Sequence, residues 1–103
     1  MDERLPRVSP TEQIILALLS REKELFGLQI VEQSRGTVKR GTVYVTLGRM
    51  HDKGFVDSRT EPRAPGAIGL PRRLYRLTPY GVAVLKTWTR ATRALAQLRP
   101  AEA

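Results

Sequence analysis

The sequence predicts a single, mainly α-helical domain that carries one small β-hairpin. Three observations lead to this class. The chain of 103 residues is 41% hydrophobic and contains no cysteine, which suits one modest core without a disulfide scaffold. Apolar residues recur at helical spacing in four segments. Between the third and fourth of these, two short alternating runs flank a loop rich in proline and glycine.

The first helix is predicted to begin at Ser9 and to run to about residue 20. Ser9 acts as the N-cap, Pro10 takes the first helical position, and Glu12 completes a capping box. The charged connector "REKE" follows, and a shorter helix is expected over roughly residues 26–34.

The third helix lies in "VKRGTVYVTLGRMHDKG", residues 38–54, where local preference and periodicity disagree. Its β-branched residues favour a strand. Over a longer window, Val43, Leu47 and Met50 recur at helical spacing, and Gly54 ends the pattern after a cation. We therefore predict a helix with one apolar face and one face of hydroxyls and cations.

The hairpin and a last helix complete the chain. "FVDSRTE" and "RRLYRLT" each alternate and are predicted to pair, with the intervening proline- and glycine-rich segment forming a long basic tip. The last helix begins at "TPYG", where Thr78 is the N-cap and Pro79 the first helical residue.

Apolar residues of this last helix follow alternating steps of three and four, which indicates a heptad seam. The seam can pack on the protein's own core, as expected of the first turns, or on a partner helix, as expected beyond Trp88. We predict a C-terminal dimerisation helix over residues 78–99, after an N-terminal domain over residues 1–77. Residues 1–8 are expected to be flexible and residues 100–103 frayed. The predicted dimer interface is Val84, Trp88, Ala91, Leu95 and Leu98.

The net charge of +8 is concentrated in the middle of the chain. Residues 39–76 hold nine basic and three acidic groups, whereas residues 1–38 hold five basic and six acidic groups. This distribution favours a polyanion such as double-stranded DNA as partner, with an idle basic surface as the alternative. Without an apolar leader or a membrane-spanning run, the chain is expected to be soluble and cytoplasmic.

Catalysis is not expected from this sequence. His51 is the only histidine, there is no cysteine nucleophile, and no metalloprotease, nucleophile-elbow or P-loop pattern occurs. His51 and Asp52 together cannot complete a metal site. We expect no cofactor and no bound metal.

Three helices followed by a hairpin and a further helix match the winged helix-turn-helix plan, so residues 1–77 are predicted to be a winged helix-turn-helix DNA-binding domain. In that plan the third helix enters the major groove of DNA, and the hairpin, or wing, reaches the neighbouring backbone or minor groove.

Two paired motifs also resemble the PadR family of bacterial winged-helix regulators. The run "GTVYVTLGRMHDKGFVDSR" resembles the family's G-T-L-Y-x-x-L-x-x-L-E-x-x-G-[LI]-[IV] pattern, and "PRRLYRLTPYG" resembles R-[KR]-Y-Y-x-[LI]-T-x-x-G. "LLSREKELFGLQIVEQ" is similar to the first two helices of the family. Lys39 and Arg40 stand where Ser-Pro is common, so a good helix cap is lost and two cations are gained. The short C-terminal segment resembles the compact branch with one terminal helix.

The candidate DNA-contacting residues combine cations with N–H or O–H donors, which phosphates and base edges require. They are Lys39, Arg40, Gly41, Thr42, Tyr44, Thr46 and Arg49 on the third helix, and Arg63, Arg72 and Arg73 on the hairpin. The resemblance itself implicates Gly41, Thr42 and Tyr44. Alternative roles are close packing for Gly41, a half-buried core position for Tyr44, and a solvated face for Arg49 and the hairpin arginines.

The resemblance implies a homodimeric transcriptional regulator, most simply a repressor, that binds a palindromic operator. Its regulation would come from a small-molecule effector or from a second signal. Trp88 is either a packing residue of the dimer or part of an effector pocket. The alternative is a winged-helix module that binds protein or nucleic acid without a dedicated operator.

Overall fold

A computed structural model of the chain describes residues 6–62, 65–66, 68–69 and 71–98. The described elements are four helices and three short strands in the predicted order, with one additional strand. They are α1 (Pro10–Arg21), β1 (Leu25–Phe26), α2 (Gly27–Gln33), α3 (Arg40–Asp52), β2 (Val56–Thr60), β3 (Arg73–Leu77) and α4 (Pro79–Gln97).

The start of α1 confirms the predicted capping box. The Ser9 backbone N–H donates to the Glu12 carboxylate at 2.8 Å, and the Glu12 N–H donates to the Ser9 hydroxyl at 3.1 Å. Glu12 is only 2% exposed, and both of its carboxylate oxygens accept from Lys53 Nζ at 2.9 Å. A buried carboxylate requires such a partner. The ion pair therefore fixes the start of α1 against the end of α3.

The segment before α1 is ordered against the domain, so the expectation of flexibility is wrong for residues 6–8. Val8 is buried in the core, and the Pro6 carbonyl accepts a hydrogen bond from Trp88 Nε1 at 3.2 Å. The Arg7 carbonyl accepts from Lys53 Nζ at 2.9 Å. Residues 1–5 lie outside the described part of the chain.

The core forms where α1, α2 and α3 meet the sheet. Val43, Leu47 and Met50 are fully buried, which confirms the predicted inner face of α3. They share one cluster with residues of the other elements and of the segments that connect them: Ile15, Leu16, Leu18, Leu19, Leu25, Ile30, Val38, Phe55, Val56 and Val84.

The turn between α2 and α3 explains where α3 begins. Arg35 and Gly36 both have positive φ values, of 55° and 79°, and so reverse the chain after α2. The Val38 N–H then donates to the Ser34 hydroxyl at 3.0 Å. Lys39 occupies the N-cap of α3 without a side-chain hydrogen bond, as expected where the cap residue has been replaced by a cation.

The sheet has three antiparallel strands in the order β1–β3–β2, one more than the predicted hairpin. β1 pairs Leu25 with Tyr75 and Phe26 with Leu74, so Phe26 belongs to a strand and α2 begins one residue later. The guanidinium of Arg59 on β2 also donates two hydrogen bonds of 2.7 Å to the carboxylate of Glu24. This pair links β2 to the residue that precedes β1, on the other side of β3.

Helix α4 begins as predicted and then leaves the core. The Thr78 hydroxyl accepts from the Gly81 N–H at 2.9 Å, and Pro79 is the first helical residue. Gly81 and Val84 are buried, whereas Leu95 and Leu98 are 68% and 79% exposed. In the part of the chain that the structure describes, no helix is both long and apolar enough to cross a membrane.

Candidate nucleic-acid interface

The outer face of α3 is cationic and exposed. Lys39, Arg40, Gly41, Thr42 and Arg49 all lie at the surface, whereas Val43, Leu47 and Met50 are buried. Within the described residues, the ion pairs use Lys53 and Arg59 rather than the cations at the start and middle of α3. The cations of this face are therefore placed to meet a polyanion.

Thr46 does not belong to this face, and its prediction as a DNA contact is wrong. Its side chain is 7% exposed, and its hydroxyl donates to the Thr42 carbonyl at 2.9 Å. At 100° per residue, position 46 lies in the same arc as positions 43, 47 and 50. A buried threonine of this kind satisfies its hydroxyl on the preceding helical turn.

Tyr44 projects from α3 towards α2 and the wing. It is 54% exposed, so it is not the half-buried core residue of the alternative interpretation. Its ring lies against Gly27, the first residue of α2. It also borders a hollow of about 360 Å³ between α3, the start of α2 and β3. The other residues around this hollow are Phe26, Gly27, Leu28, Pro71, Arg72, Arg73 and Tyr75.

The wing brings two of the predicted arginines to the same hollow. The guanidinium of Arg72 lies 4.6 Å from the centre of the Phe26 ring, a cation–π contact. Arg73 Nη1 donates to the Ser58 hydroxyl of β2 at 3.0 Å. Partial burial raises the pKa of the neighbouring Tyr75 above the ordinary value of a phenol. Arg63, also predicted to contact DNA, lies outside the described residues.

Phe26 is a site residue that the sequence did not indicate. It fixes Arg72, although 45 residues separate the two along the chain. Phe26 looked like the start of a helix, and a strand of two residues has no periodicity of its own. Only the pairing of β1 with β3 brings the two side chains together.

The residues predicted for a dimer interface fall into two groups. Val84 is 3% exposed within its own chain and belongs to the core, so its assignment to a dimer interface is wrong. Trp88 packs partly against the same core and donates to Pro6. It also lines a groove of about 350 Å³ between α1 and α4. Ala91 is half-buried, and Leu95 and Leu98 are exposed.

An exposed third helix beside a β-wing is the arrangement of winged helix-turn-helix proteins. Comparison with family models agrees: residues 15–87 match the model of the transcriptional regulator PadR-like family. Because this match covers more than half of the chain, the protein belongs to the PadR-like family of transcriptional regulators. No curated protein matches the chain significantly.

Solved structures share the fold. A PadR family transcription regulator from Clostridium difficile is 24% identical, with a TM-score of 0.72 over 87% of this chain and 94% of that one. A PadR-like transcription factor from Bacteroides fragilis is also 24% identical, with a TM-score of 0.71 over 82% of each chain. Bacillus subtilis PadR, solved in complex with operator DNA, is 29% identical, with a TM-score of 0.65 over 75% of this chain and 45% of its own.

Proposed function

We propose that this protein is a sequence-specific, DNA-binding transcriptional repressor that acts as a homodimer in the cytoplasm. The observation that carries the proposal is the shared surface of α3 and the wing. There, Tyr44 borders the same hollow as Arg72 and Arg73, and Arg40 and Thr42 are exposed at the start of the same helix. Such a surface offers cations for phosphates and donors for base edges.

Family membership supports this proposal, because the matched family consists of transcriptional regulators. The similarity to Bacillus subtilis PadR, whose structure contains operator DNA, supports DNA as the partner. Arg40 and Tyr44 are then the residues of α3 expected in the major groove, with the wing arginines on the adjacent backbone.

Two copies would place their α3 helices in successive major grooves of a palindromic operator, about one helical turn apart. The exposed end of α4 is the proposed dimer contact. A small effector would regulate binding by favouring one spacing of the two α3 helices, and one that binds both spacings equally would change nothing. The groove beside Trp88 is a candidate place for it.

The test is a competition between two duplexes of equal length. One carries promoter DNA from the gene's own locus, and the other has a random sequence of the same base composition. Strong preference for the promoter duplex at fixed salt supports a dedicated operator. Equal binding to both duplexes would exclude a dedicated operator and would favour the alternative, a winged-helix module that binds nucleic acid non-specifically or binds protein.

Alanine substitutions test whether the exposed face of α3 contacts the DNA. Arg40→Ala and Tyr44→Ala should each weaken promoter binding about tenfold, the value of one charge-assisted hydrogen bond, while the dimer persists. Arg40→Ala should also reduce the slope of log K against log salt by about one for each phosphate that the arginine neutralises. Arg90→Ala, which removes an exposed cation from α4, is the matched control. Unchanged affinity in both α3 variants would place the DNA on another surface.

A further inference from the structure

Gly27 lies directly beneath the ring of Tyr44. A Cβ built on Gly27 would lie 2.5 Å from Tyr44 Cε1, 2.7 Å from Cζ and 2.8 Å from the hydroxyl oxygen. All three distances are shorter than the 3.5–4.0 Å at which carbon atoms normally make contact. The phenol edge of Tyr44 therefore occupies the space that any side chain at position 27 would need.

We propose that Gly27 is a positioning residue for DNA recognition: its missing side chain lets the Tyr44 phenol lie over the start of α2, facing the hollow beside the wing. The inference rests on the proposed function, because it concerns how Tyr44 meets DNA. Gly27 itself touches neither a base nor a phosphate in this scheme. Gly27 contributes only by determining where the Tyr44 hydroxyl lies.

Backbone conformation does not explain the glycine. Gly36, Gly54, Gly66 and Gly69 have positive φ values, and Gly27 is not among these glycines. It is the first residue of α2, where alanine is conformationally acceptable. The contact with Tyr44 is then the reason for a glycine at this position.

The other helical glycines provide the contrast. Gly41 and Gly48 on α3 have no atom within 4 Å of a Cβ placed on them. At Gly81 the obstacle is the Phe55 backbone, with its carbonyl oxygen only 2.1 Å away. At Gly27 it is the far end of a half-exposed side chain, which can rotate away. A methyl group at Gly27 should therefore move Tyr44 while leaving the fold intact.

The distance by which the Tyr44 ring moves in Gly27→Ala determines how much DNA affinity is lost. Relief of the contact requires the ring edge to move by about 1 Å, from 2.5 Å to an ordinary carbon–carbon distance. A hydrogen bond from the phenol to DNA tolerates only a few tenths of an ångström. Gly27→Ala should thus lose the contribution of the Tyr44 hydroxyl, about tenfold in affinity for the promoter duplex.

The first experiment observes Tyr44 in the free protein. The chain has three tyrosines, so 3-fluorotyrosine labelling gives three fluorine NMR signals, and Tyr44→Phe identifies the one that belongs to Tyr44. In Gly27→Ala this signal should shift, while that of Tyr80, which packs near Phe55, and the melting temperature stay close to wild type. Gly48→Ala is the matched control and should leave all three signals in place.

The second experiment is a double-mutant cycle on promoter binding. If Gly27 acts through Tyr44, adding Gly27→Ala to a Tyr44→Ala protein should cause no further loss of affinity. In the wild-type background the same substitution should cost about tenfold. A purely structural effect of the methyl group would instead weaken binding equally in both backgrounds.

Several results would overturn the inference: an unmoved Tyr44 signal, unchanged promoter affinity in Gly27→Ala, or equal losses in the two arms of the cycle. Global unfolding of Gly27→Ala would also contradict it, because rotation of Tyr44 should relieve the contact. If wild-type protein binds promoter and random duplexes equally, the proposed function fails. The fluorine signal still reports separately whether Gly27 positions the ring.

Discussion

On α3, the polarity of a residue does not determine whether its side chain faces the solvent or the core. Val45 is apolar and exposed, whereas its neighbour Thr46 is polar and buried. The Thr46 hydroxyl can be buried because it donates to the Thr42 carbonyl of the same helix. The position of the Tyr44 ring, by contrast, depends on Gly27, a residue of α2. A face is therefore defined by helical angle first and by residue type second.

Gly81 offers the clearest prediction at this scale. A Cβ here would lie 2.1 Å from the Phe55 carbonyl oxygen, and the backbone of Phe55 cannot rotate away as a side chain would. That carbonyl also accepts the Thr78 N–H at 3.0 Å, so moving it disturbs the start of α4. Gly81→Ala should lower the free energy of unfolding by about 3 kcal/mol, the upper range for overpacking. Urea denaturation measures this directly.

Gly48→Ala is the control for that measurement. Position 48 is in the interior of α3 with nothing within 4 Å of a new Cβ. Alanine there should stabilise the protein by about 0.5–1 kcal/mol through its helix propensity. Equal stability of the two variants would mean that α4 packs on Phe55 less closely than the structure indicates.

At the scale of elements, local signals were sufficient for every helix. The capping box at Ser9, the Thr78-Pro79 start and the apolar spacing around Leu47 each predicted an element that is present. Strand β1 was missed because its two residues carry no alternation and form a strand only by pairing with β3. Elements that depend on distant partners therefore escaped prediction, whereas those with their own caps and periodicity did not.

The same division applies to the candidate site. Periodicity correctly placed Arg40, Thr42 and Tyr44 outside and the apolar stripe inside. Thr46 was assigned to the outer face by its polar side chain, although its helical angle places it near the buried Val43, Leu47 and Met50. Periodicity could not reveal the contacts of Phe26 with Arg72 or of Gly27 with Tyr44, which join separate elements.

The sheet gives a prediction with a defined pH dependence. The hydrogen bonds from Arg59, which join β2 to the segment before β1, hold the pKa of Glu24 below the ordinary glutamate value of 4.5. Since this pKa is lowered in the folded state, the stabilisation is present above about pH 4.5. It is lost as the pH falls through the folded-state value. Glu24→Gln should be less stable than wild type at pH 7.

Thermal unfolding of the two proteins from pH 7 to pH 3 checks the sign. The difference in melting temperature should be small, because the pair is at the surface, and should shrink towards the acid end. Glu32→Gln removes an exposed carboxylate from α2 and should show no comparable trend. A difference that grows as the pH falls would contradict the role assigned to the Arg59–Glu24 pair.

At the scale of the whole molecule, the two ends of α4 have different environments. Gly81 and Val84 are buried in the domain, while Leu95 and Leu98 face outward at the far end. One chain thus completes its own core and still exposes leucines at heptad spacing. This pattern favours a second copy over the distal half of α4, as the proposed operator with two half-sites would need.

Charged residues at the two leucines should therefore separate the dimer without unfolding the domain. Each leucine buried in an interface contributes about 1.5–3 kcal/mol, and glutamates facing each other would add repulsion. Leu95→Glu with Leu98→Glu should sediment as a monomer, keep wild-type helix content, and bind promoter DNA far more weakly. Leu28→Glu, at an exposed leucine on α2, should remain dimeric. Persistence of the dimer in the α4 variant would assign the interface to another face of the protein, with the distal leucines left in solvent.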